Sequence, residues 1–325
     1  MFRQKYKHWL LSIIIVLAIV SIGFGLYFYQ SQSALKIVPP APADVTNDNS
    51  KNTVIIVSWD GAKPSVMKQL LDDGRLPTFA LMQGEGVFTL SAQTVVPSIT
   101  LPAHASMLTG RPIEQHLITW NSYSPDKGHI QTETVFELAS QAGITTAAIV
   151  NKEKLWHLNK PGTIDTYRYS KGSIEVAVNE AIEVMAEAMP GLAFIHLKEP
   201  DGSGHLHGWG NDSENQPVSQ GYIDALIEAD RVTGLLVSYL KSSGNWNETV
   251  LIITSDHGGI GHSHGSSDPE DTTIPWLAAG GRVISNWTLR EPVSIMDTAA
   301  TTLALLGIAI PSEWKGRNVL RVMAE

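Results

Sequence analysis

The sequence predicts an α/β domain in which an open, mostly parallel sheet is sandwiched by helices. Two observations predict this fold: short apolar runs alternate with helical patterns along the chain, and the runs are continuous in their apolar character. Continuous apolar runs are typical of strands that are buried on both faces, as in parallel sheets. Repeated strand and helix units place helices on both faces of such a sheet.

The predicted elements follow one another along most of the chain. Apolar runs predict strands at residues 54–57, 144–150, 193–197 and 250–254. Periodic patterns predict helices at residues 64–71, 132–141, 174–189, 222–240 and 294–306. Pro64 stands in the first turn of the first helix, and Gly307 follows the last one. Residues 103–108 have the pattern of a helix start.

Composition excludes several functional classes. The chain has 325 residues, with 23 basic and 32 acidic side chains and a net charge of −9. A basic surface is therefore not expected, which argues against nucleic-acid binding driven by phosphate neutralisation. The absence of cysteine excludes disulfides and thiolate metal sites. A small phosphate ester is still compatible with this charge, because bound metal ions reverse the local field.

The N-terminal region predicts a membrane anchor and a tether. Residues 9–29 are uncharged and mostly apolar, and at about 1.5 Å per residue such a helix crosses a ~30 Å hydrocarbon core. Arg3, Lys5 and Lys7 precede this stretch, which places residues 1–8 in the cytoplasm and the catalytic domain outside it. Residues 30–52 predict a Pro-rich flexible tether, so the catalytic domain is expected at residues 53–325. A cleaved signal peptide is the alternative interpretation.

Acidic residues and histidines follow the predicted strands. Asp60 comes directly after the first strand, and the pair Asp256 and His257 comes after the strand at 250–254. In open α/β sheets, ligands bind outside the carboxyl ends of the strands, so these side chains are expected to converge. Taken alone, Asp60 with Gly61 is also typical of a plain turn. Carboxylate oxygens together with imidazole nitrogens suit zinc or a similar divalent cation.

A second pair of candidate ligands is Asp201 and His205. Two of the three residues between them are glycines, so a tight loop is predicted to aim both side chains at one centre. His207 is not expected to join them. His262 and His264 would point to opposite sides of an extended chain, so at most one is expected to bind the same ion.

A hydroxyl group lies at a predicted helix N-terminus. Thr100 stands between Pro97 and Pro102, just before the helical pattern at residues 103–108. A neighbouring divalent cation lowers the pKa of such a hydroxyl, and the backbone N–H groups stabilise developing negative charge. Thr100 is therefore a candidate nucleophile. By itself, a threonine at this position is also a common helix cap.

The order of these motifs resembles the alkaline phosphatase superfamily, and within it the type I phosphodiesterase/nucleotide pyrophosphatase branch. The resemblance covers residues 53–318 and implies an alkaline phosphatase-like fold with two divalent metal ions, most simply zinc. By this resemblance, the ligands of the first ion are Asp201, His205 and His264. Those of the second ion are Asp60, Asp256, His257 and the nucleophile Thr100. Asn121 matches a position whose side chain contacts a phosphoryl oxygen in that family.

The resemblance also implies hydrolysis of phosphate esters through a covalent phospho-threonine at Thr100. Small phosphodiesters are expected to be cleaved better than monoesters, with nucleotides, lipid headgroups and envelope glycan phosphates as candidate substrates. A phosphomonoesterase is the alternative if a basic side chain reaches the terminal phosphate oxygens. Lys63 and Lys198 are candidates for that role, and Lys63 is predicted to contact substrate.

Other functions on the same fold stay open. A membrane-anchored phosphoethanolamine or phosphoglycerol transferase also uses a threonine nucleophile, although such enzymes usually have several membrane-spanning helices. Sulfatases need a cysteine or serine that is converted to formylglycine, whereas this chain has Thr100 at that position and no cysteine. A catalytically inactive binding protein would be expected to lack some of the seven candidate ligands.

Overall fold

Strands and helices alternate along residues 52–281 and 283–320, which are the residues that the computed structural model describes. The strands are β1 (Thr53–Trp59), β2 (Gly86–Gln93), β3 (Thr146–Val150), β4 (Thr166–Tyr169), β5 (Leu192–Leu197), β6 (Thr249–Thr254), β7 (Thr273–Ala279) and β8 (Trp287–Thr288). The helices are α1 (Pro64–Asp72), α2 (Pro77–Gly84), α3 (Thr100–Thr109), α4 (Ile113–His116), α5 (Val135–Gln141), α6 (Ile174–Glu187), α7 (Asp201–His207), α8 (Gln220–Ser242), α9 (Pro269–Thr272) and α10 (Asp297–Leu305).

The strands form one open sheet in the order β4-β3-β5-β1-β6-β7-β2-β8. The five strands from β4 to β6 are parallel to one another. β7 is antiparallel to both β6 and β2. The sheet is therefore mixed, and its antiparallel part consists of segments in which the sequence analysis predicted no strand.

Helices cover both faces of the sheet, as predicted. β1 shows the arrangement directly: Val54 and Ile56 pack in the apolar core under α3, α5 and α10. Ile55, Val57 and Trp59 pack in the other core, under α1, α2, α6 and α8. Burial of each such aliphatic side chain contributes roughly 1.5–3 kcal/mol. This two-sided burial explains why the strand has a continuous apolar sequence.

The first strand begins where the sequence predicted the start of the catalytic domain, at Thr53. The predicted anchor at residues 9–29 and nearly all of the predicted tether lie outside the described residues. Among the helices that are described, none combines the length and the apolar character that are needed to cross a bilayer.

Candidate metal centre and active site

Three acidic residues lie at the carboxyl ends of β5, β1 and β6, which are neighbours in the sheet. Asp60 follows β1 directly, Asp201 begins α7 just after β5, and Asp256 comes two residues after β6. The Asp201 N–H donates to the Asp60 carbonyl over 2.7 Å, and the Gly61 N–H donates to Asp256 Oδ1 over 3.1 Å. All three carboxylates are buried. Residues that are far apart in sequence thus meet at one edge.

Two groups of side chains at this edge are spaced as metal ligands are. The first group has its candidate ligand atoms within 4.8 Å of one another, and its members are Asp201, His205 and His264. The second group has the same spacing, and its members are Asp60, Asp256 and His257. The structure places His264 in the first group, whereas His262 Nδ1 hydrogen bonds with the backbone carbonyl of His205.

The segment that holds Asp201 and His205 is a helix, so the prediction of a tight loop was wrong. In α7 the four-residue separation puts both side chains on one face, with Asp201 Oδ1 3.4 Å from His205 Nε2. Gly204 allows α7 to pack closely against a neighbouring side chain, and it does not form a turn. A Cβ on Gly204 would lie 2.2 Å from the ring of Trp209, which is fully buried beneath α7.

The histidines of the two groups all present Nε2 to the carboxylates. In each ring Nδ1 lies 2.8–3.0 Å from a backbone carbonyl oxygen and donates to it. For His205, His257 and His264, respectively, these carbonyls belong to His262, Gly258 and Ser98. Because Nδ1 carries the proton, Nε2 carries the lone pair. A backbone hydrogen bond of this kind commonly orients an imidazole that binds a metal.

The lone pairs of the first group face a carboxylate oxygen. His205 Nε2 and His264 Nε2 each lie 3.4 Å from Asp201 Oδ1. Burial, together with the neighbouring His257, lowers the pKa of His264 to about 4, so its ring is neutral near neutral pH. Imidazole lone pairs that face one carboxylate oxygen repel it unless a cation lies between them. The first group therefore fits a divalent cation.

The second group has the same character and is more deeply buried. His257 Nε2 lies 3.4 Å from Asp60 Oδ1 and 3.3 Å from Asp256 Oδ2. Within the described residues, none of these three atoms has a hydrogen-bond partner, and neither does Asp201 Oδ1. Burial and the nearby Asp60 carboxylate raise the pKa of Asp256 to about 8. Buried polar atoms are normally paired, so this donor set also fits a divalent cation.

The candidate nucleophile begins α3 next to these groups. Thr100 is buried and is the first residue of the helix, while the N-cap is Ile99, so Thr100 is not the cap itself. The Thr100 carbonyl accepts a hydrogen bond from His104 Nδ1 over 2.8 Å, and His104 Nδ1 also lies 3.5 Å from Asp256 Oδ2. Asn121 Oδ1 accepts the N–H of Leu101 over 2.9 Å. The first turn of the helix is thereby tied to the second group and to Asn121.

Two lysines that the sequence analysis did not select lie at the same edge. Lys152 and Lys154 come just after β3, where the strand-end rule would have drawn attention to them. Lys152 Nζ lies 2.7 Å from Asp60 Oδ2 and 2.5 Å from Asp201 Oδ2. Although burial disfavours charge on this lysine, the two carboxylates raise its pKa above the ordinary value. Burial and the nearby Lys152 lower the pKa of Lys154.

The lysines that the sequence analysis did select are engaged elsewhere. Lys63 is buried, and its ammonium pairs with Glu270 and lies 4.0 Å from Asp212. Lys198 Nζ donates to the carbonyl of Gly172 over 2.9 Å. The ion pair of Lys63 argues against the predicted substrate contact, which stays a prediction.

The second group is also contacted by a histidine that the sequence analysis did not select. His196, in β5, is fully buried, and its Nε2 donates to Asp60 Oδ2 over 2.8 Å. The N–H of Asn151 donates to its Nδ1 over 3.3 Å. Partners of this kind orient a ligand carboxylate and are as exacting in geometry as the ligands themselves.

A comparison with protein-family profiles identifies the family of this chain. The profile of the type I phosphodiesterase / nucleotide pyrophosphatase family matches residues 54–265, which include every residue of both groups. The chain belongs to this family. The resemblance that the motifs indicated is therefore confirmed.

Curated relatives of this family member include ectonucleotide pyrophosphatase/phosphodiesterase family member 1 of Mus musculus, which is 29% identical over 243 residues. The match covers 68% of this chain and 25% of the mouse protein. The bis(5'-adenosyl)-triphosphatase enpp4 of Xenopus laevis is 26% identical over 238 residues, covering 66% of this chain and 48% of that one. This chain thus spans about a quarter of the length of the first of these relatives and about half of the other.

Solved structures confirm an alkaline phosphatase-like α/β fold for this family member. Murine ectonucleotide pyrophosphatase / phosphodiesterase 5 superposes with a TM-score of 0.66 at 18% identity, covering 80% of this chain and 96% of that one. The lipoteichoic acid synthase LtaP from Listeria monocytogenes superposes with a TM-score of 0.63 at 16% identity, covering 85% and 80%. Because a hydrolase family and a synthase share the fold, the fold alone does not assign a reaction.

Proposed function

We propose that this protein hydrolyses phosphodiesters or phosphoanhydrides of nucleotide type at a site that holds two divalent cations, with Thr100 as the nucleophile. The observation that carries the proposal is the pair of ligand groups with inward-facing lone pairs beside a hydroxyl at a helix N-terminus. Family membership supports it, and murine ectonucleotide pyrophosphatase / phosphodiesterase 5 has been solved in complex with AMP. Nitrogen and oxygen donors without thiolate make zinc the best-fitting ion.

The proposed ligands are the two groups defined above, with Thr100 joining the second. When bound, two such cations supply Lewis-acid stabilisation of the attacking and leaving oxygens. Thr100 Oγ1 attacks phosphorus in line and gives up its proton to solvent, the bond between phosphorus and the leaving oxygen breaks, and the leaving group departs while a phospho-threonine remains. Water then attacks the same phosphorus, the bond between phosphorus and Thr100 Oγ1 breaks, and Oγ1 regains a proton as the phosphate product is released. The two steps together return the chain to its starting state.

Asn121 is proposed to hold the phosphoryl group during both steps. Its Oδ1 accepts the Leu101 N–H, which orients the amide so that the side-chain NH2 is available to a non-bridging phosphoryl oxygen. A positioned donor of this kind stabilises charge that develops on the equatorial oxygens. His104 and His196 are proposed to position Thr100 and Asp60, because they contact those residues and not the reacting atoms.

The proposed setting is the outer face of the cytoplasmic membrane. The basic residues before the apolar stretch at 9–29 support an inside N-terminus, and the tether at 30–52 would keep a catalytic domain at 53–325 near the bilayer. A tether of about twenty flexible residues spans roughly 25 Å. Protease added to intact cells or spheroplasts should digest the catalytic domain, and protection until lysis would contradict this orientation.

A hydrolysis screen of the full-length protein tests the proposed reaction. Bis-p-nitrophenyl phosphate, p-nitrophenyl phosphate and p-nitrophenyl sulfate would be compared before and after chelation and after zinc is restored. We expect diester hydrolysis that chelation abolishes and zinc restores. Hydrolysis of the sulfate alone, or diester hydrolysis that survives complete metal removal, would contradict the proposal.

A further inference from the structure

Two lysines that the proposed reaction leaves unassigned contact residues that the reaction uses. Lys152 Nζ lies 3.5 Å from Thr100 Oγ1, and it contacts Asp201 and Asp60, one carboxylate from each ligand group. Its side chain is 18% exposed, so it is mostly but not fully buried. A cation at this place lies within one hydrogen bond of the oxygen that would attack phosphorus.

Lys154 contacts a second residue of the same site. Its ammonium donates to Asn121 Oδ1 over 3.1 Å, and that oxygen also accepts the Leu101 N–H. Lys152 contacts the proposed nucleophile, and Lys154 contacts the proposed phosphoryl-binding amide. Both ammonium groups are therefore within one hydrogen bond of residues that are assigned to the reacting phosphoryl group.

Lys152 becomes available to substrate when divalent cations occupy the two ligand groups. Divalent cations on Asp60 and Asp201 would neutralise the charge that attracts the ammonium, and the cations would repel it. An anionic substrate then becomes the favourable partner for Lys152. Charge-assisted hydrogen bonds from ammonium groups to phosphate oxygens are among the stronger polar contacts.

Two added positive charges suit a phosphomonoester better than a diester. A diester carries one negative charge, and two of its phosphorus-bound oxygens bear organic groups. A monoester carries about −1.5 to −2 charges at pH 7 and has three free acceptor oxygens. The excess charge and the third free oxygen are the features that Lys152 and Lys154 are placed to recognise.

We propose that Lys152 and Lys154 form an anion subsite for a terminal phosphoryl group, so that the protein accepts phosphomonoesters as well as diesters. The inference rests on the proposed hydrolase function and concerns the selection of substrate. No bond-breaking step is assigned to either lysine.

The test compares the full-length protein with Lys152→Met, Lys154→Met and the double variant. For each protein, kcat/KM is measured on p-nitrophenyl phosphate and on bis-p-nitrophenyl phosphate. Loss of charged hydrogen bonds should lower the monoester-to-diester ratio about tenfold or more in the double variant. Lys154→Arg, which keeps the charge, should retain most of the ratio. Lys68→Met is the control, because the Lys68 ammonium binds the exposed Asp72 carboxylate within α1, and it should leave the ratio unchanged.

A binding measurement keeps the inference separate from the proposed function. Inorganic phosphate is titrated calorimetrically into the zinc-loaded Thr100→Ala protein with and without the two lysine substitutions, and we expect about tenfold weaker binding without the lysines. Lys154→Met alone, which leaves the Lys152 ion pairs intact, should show part of this loss. An unaltered protein that hydrolyses no phosphate ester would contradict the proposed function only. Equal phosphate affinities, or an unchanged monoester-to-diester ratio in an active enzyme, would overturn the anion subsite.

Discussion

Buried aspartates in two regions of this protein are hydrogen bonded in different ways. Asp230, in α8, accepts the backbone N–H groups of Thr78 and Phe79 over 3.0 and 2.7 Å, so both of its oxygens are engaged. It thereby holds the first turn of α2. Asp297 at the start of α10 is similar, since each of its oxygens accepts a backbone N–H over 2.8 Å.

The aspartates at the strand ends keep one oxygen free of protein donors. Asp60 Oδ2 accepts a hydrogen bond from His196 and forms an ion pair with Lys152. Asp256 Oδ1 accepts two hydrogen bonds, but Asp60 Oδ1 and Asp256 Oδ2 accept none from the described residues. The difference indicates two roles for the same buried side chain. A carboxylate whose two oxygens both accept backbone N–H groups holds a turn in place. A carboxylate with one orphaned oxygen is held by the protein through the other oxygen, and the orphaned one is available to bind a ligand.

The largest expected effect concerns the hydroxyl that lies beside the orphaned oxygens. Thr100→Ala should lower kcat by about a thousandfold or more, as expected for removal of a covalent nucleophile. The melting temperature should change little. Ser98→Ala is the matched control, because the Ser98 hydroxyl donates to the Ser266 carbonyl instead. An active Thr100→Ala protein with an inactive Ser98→Ala protein would show that the nucleophile lies two residues earlier.

The same substitution in the two regions should have opposite consequences. Asp230→Asn turns an amide NH2 toward a backbone donor and should lower the free energy of unfolding by about 1–3 kcal/mol while leaving kcat near its original value. Asp256→Asn keeps Oδ1 as the acceptor of the Gly61 and His257 N–H groups and places its amide NH2 at the orphaned Oδ2 position, so the metal-free protein should not lose stability. Its activity should nevertheless fall by orders of magnitude. Denaturant unfolding of metal-free proteins and steady-state kinetics check both, and equal losses of stability would break the comparison.

The last expected effect is on stability alone and concerns a buried histidine whose ring nitrogens are both satisfied by protein. His116 Nε2 pairs with the Ser106 hydroxyl, and Nδ1 accepts the Ile118 N–H. Burial lowers the pKa of His116 from 6.5 to about 4. The unfolded chain therefore binds a proton between pH 6.5 and about 4 that the folded chain does not. The free energy of unfolding is therefore highest above pH 6.5. As the pH falls below 6.5, His116 lowers the free energy of unfolding by up to about 3 kcal/mol.

The pH dependence of unfolding measures this contribution. His116→Asn retains an acceptor near the position of Nδ1 but does not titrate. The free energy of unfolding of the variant should thus fall less steeply than that of the unaltered protein between pH 6.5 and 4. Parallel curves for the two proteins would show that His116 contributes nothing to the acid sensitivity.

The sequence predicted the parts of the fold and site that depend on local patterns. The continuous apolar runs of β1 and β6 indicated buried parallel strands, and the residues after them, Asp60, Asp256 and His257, indicated an edge where ligands bind. These local patterns suffice to predict the parallel part of the sheet, because strands that are buried on both faces are apolar along their length.

The parts that the sequence analysis missed depend on tertiary contacts. Gly202 and Gly204 indicated a loop, but α7 forms because the flat face left by Gly204 packs against Trp209. The antiparallel placement of β7 depends on β2, which lies about 190 residues earlier in the chain. Lys152 acquires its position from carboxylates that belong to two other strand ends. None of these partners is adjacent in sequence.

The metal content of the full-length protein shows whether the orphaned strand-end oxygens hold two divalent cations. Elemental analysis would compare the unaltered protein, Asp256→Asn and the control Asp230→Asn, all purified without metal-affinity resin. We expect about two zinc ions per chain in the unaltered and control proteins and about one in Asp256→Asn. An unaltered protein that retains full diester hydrolysis without bound divalent metal would contradict this expectation.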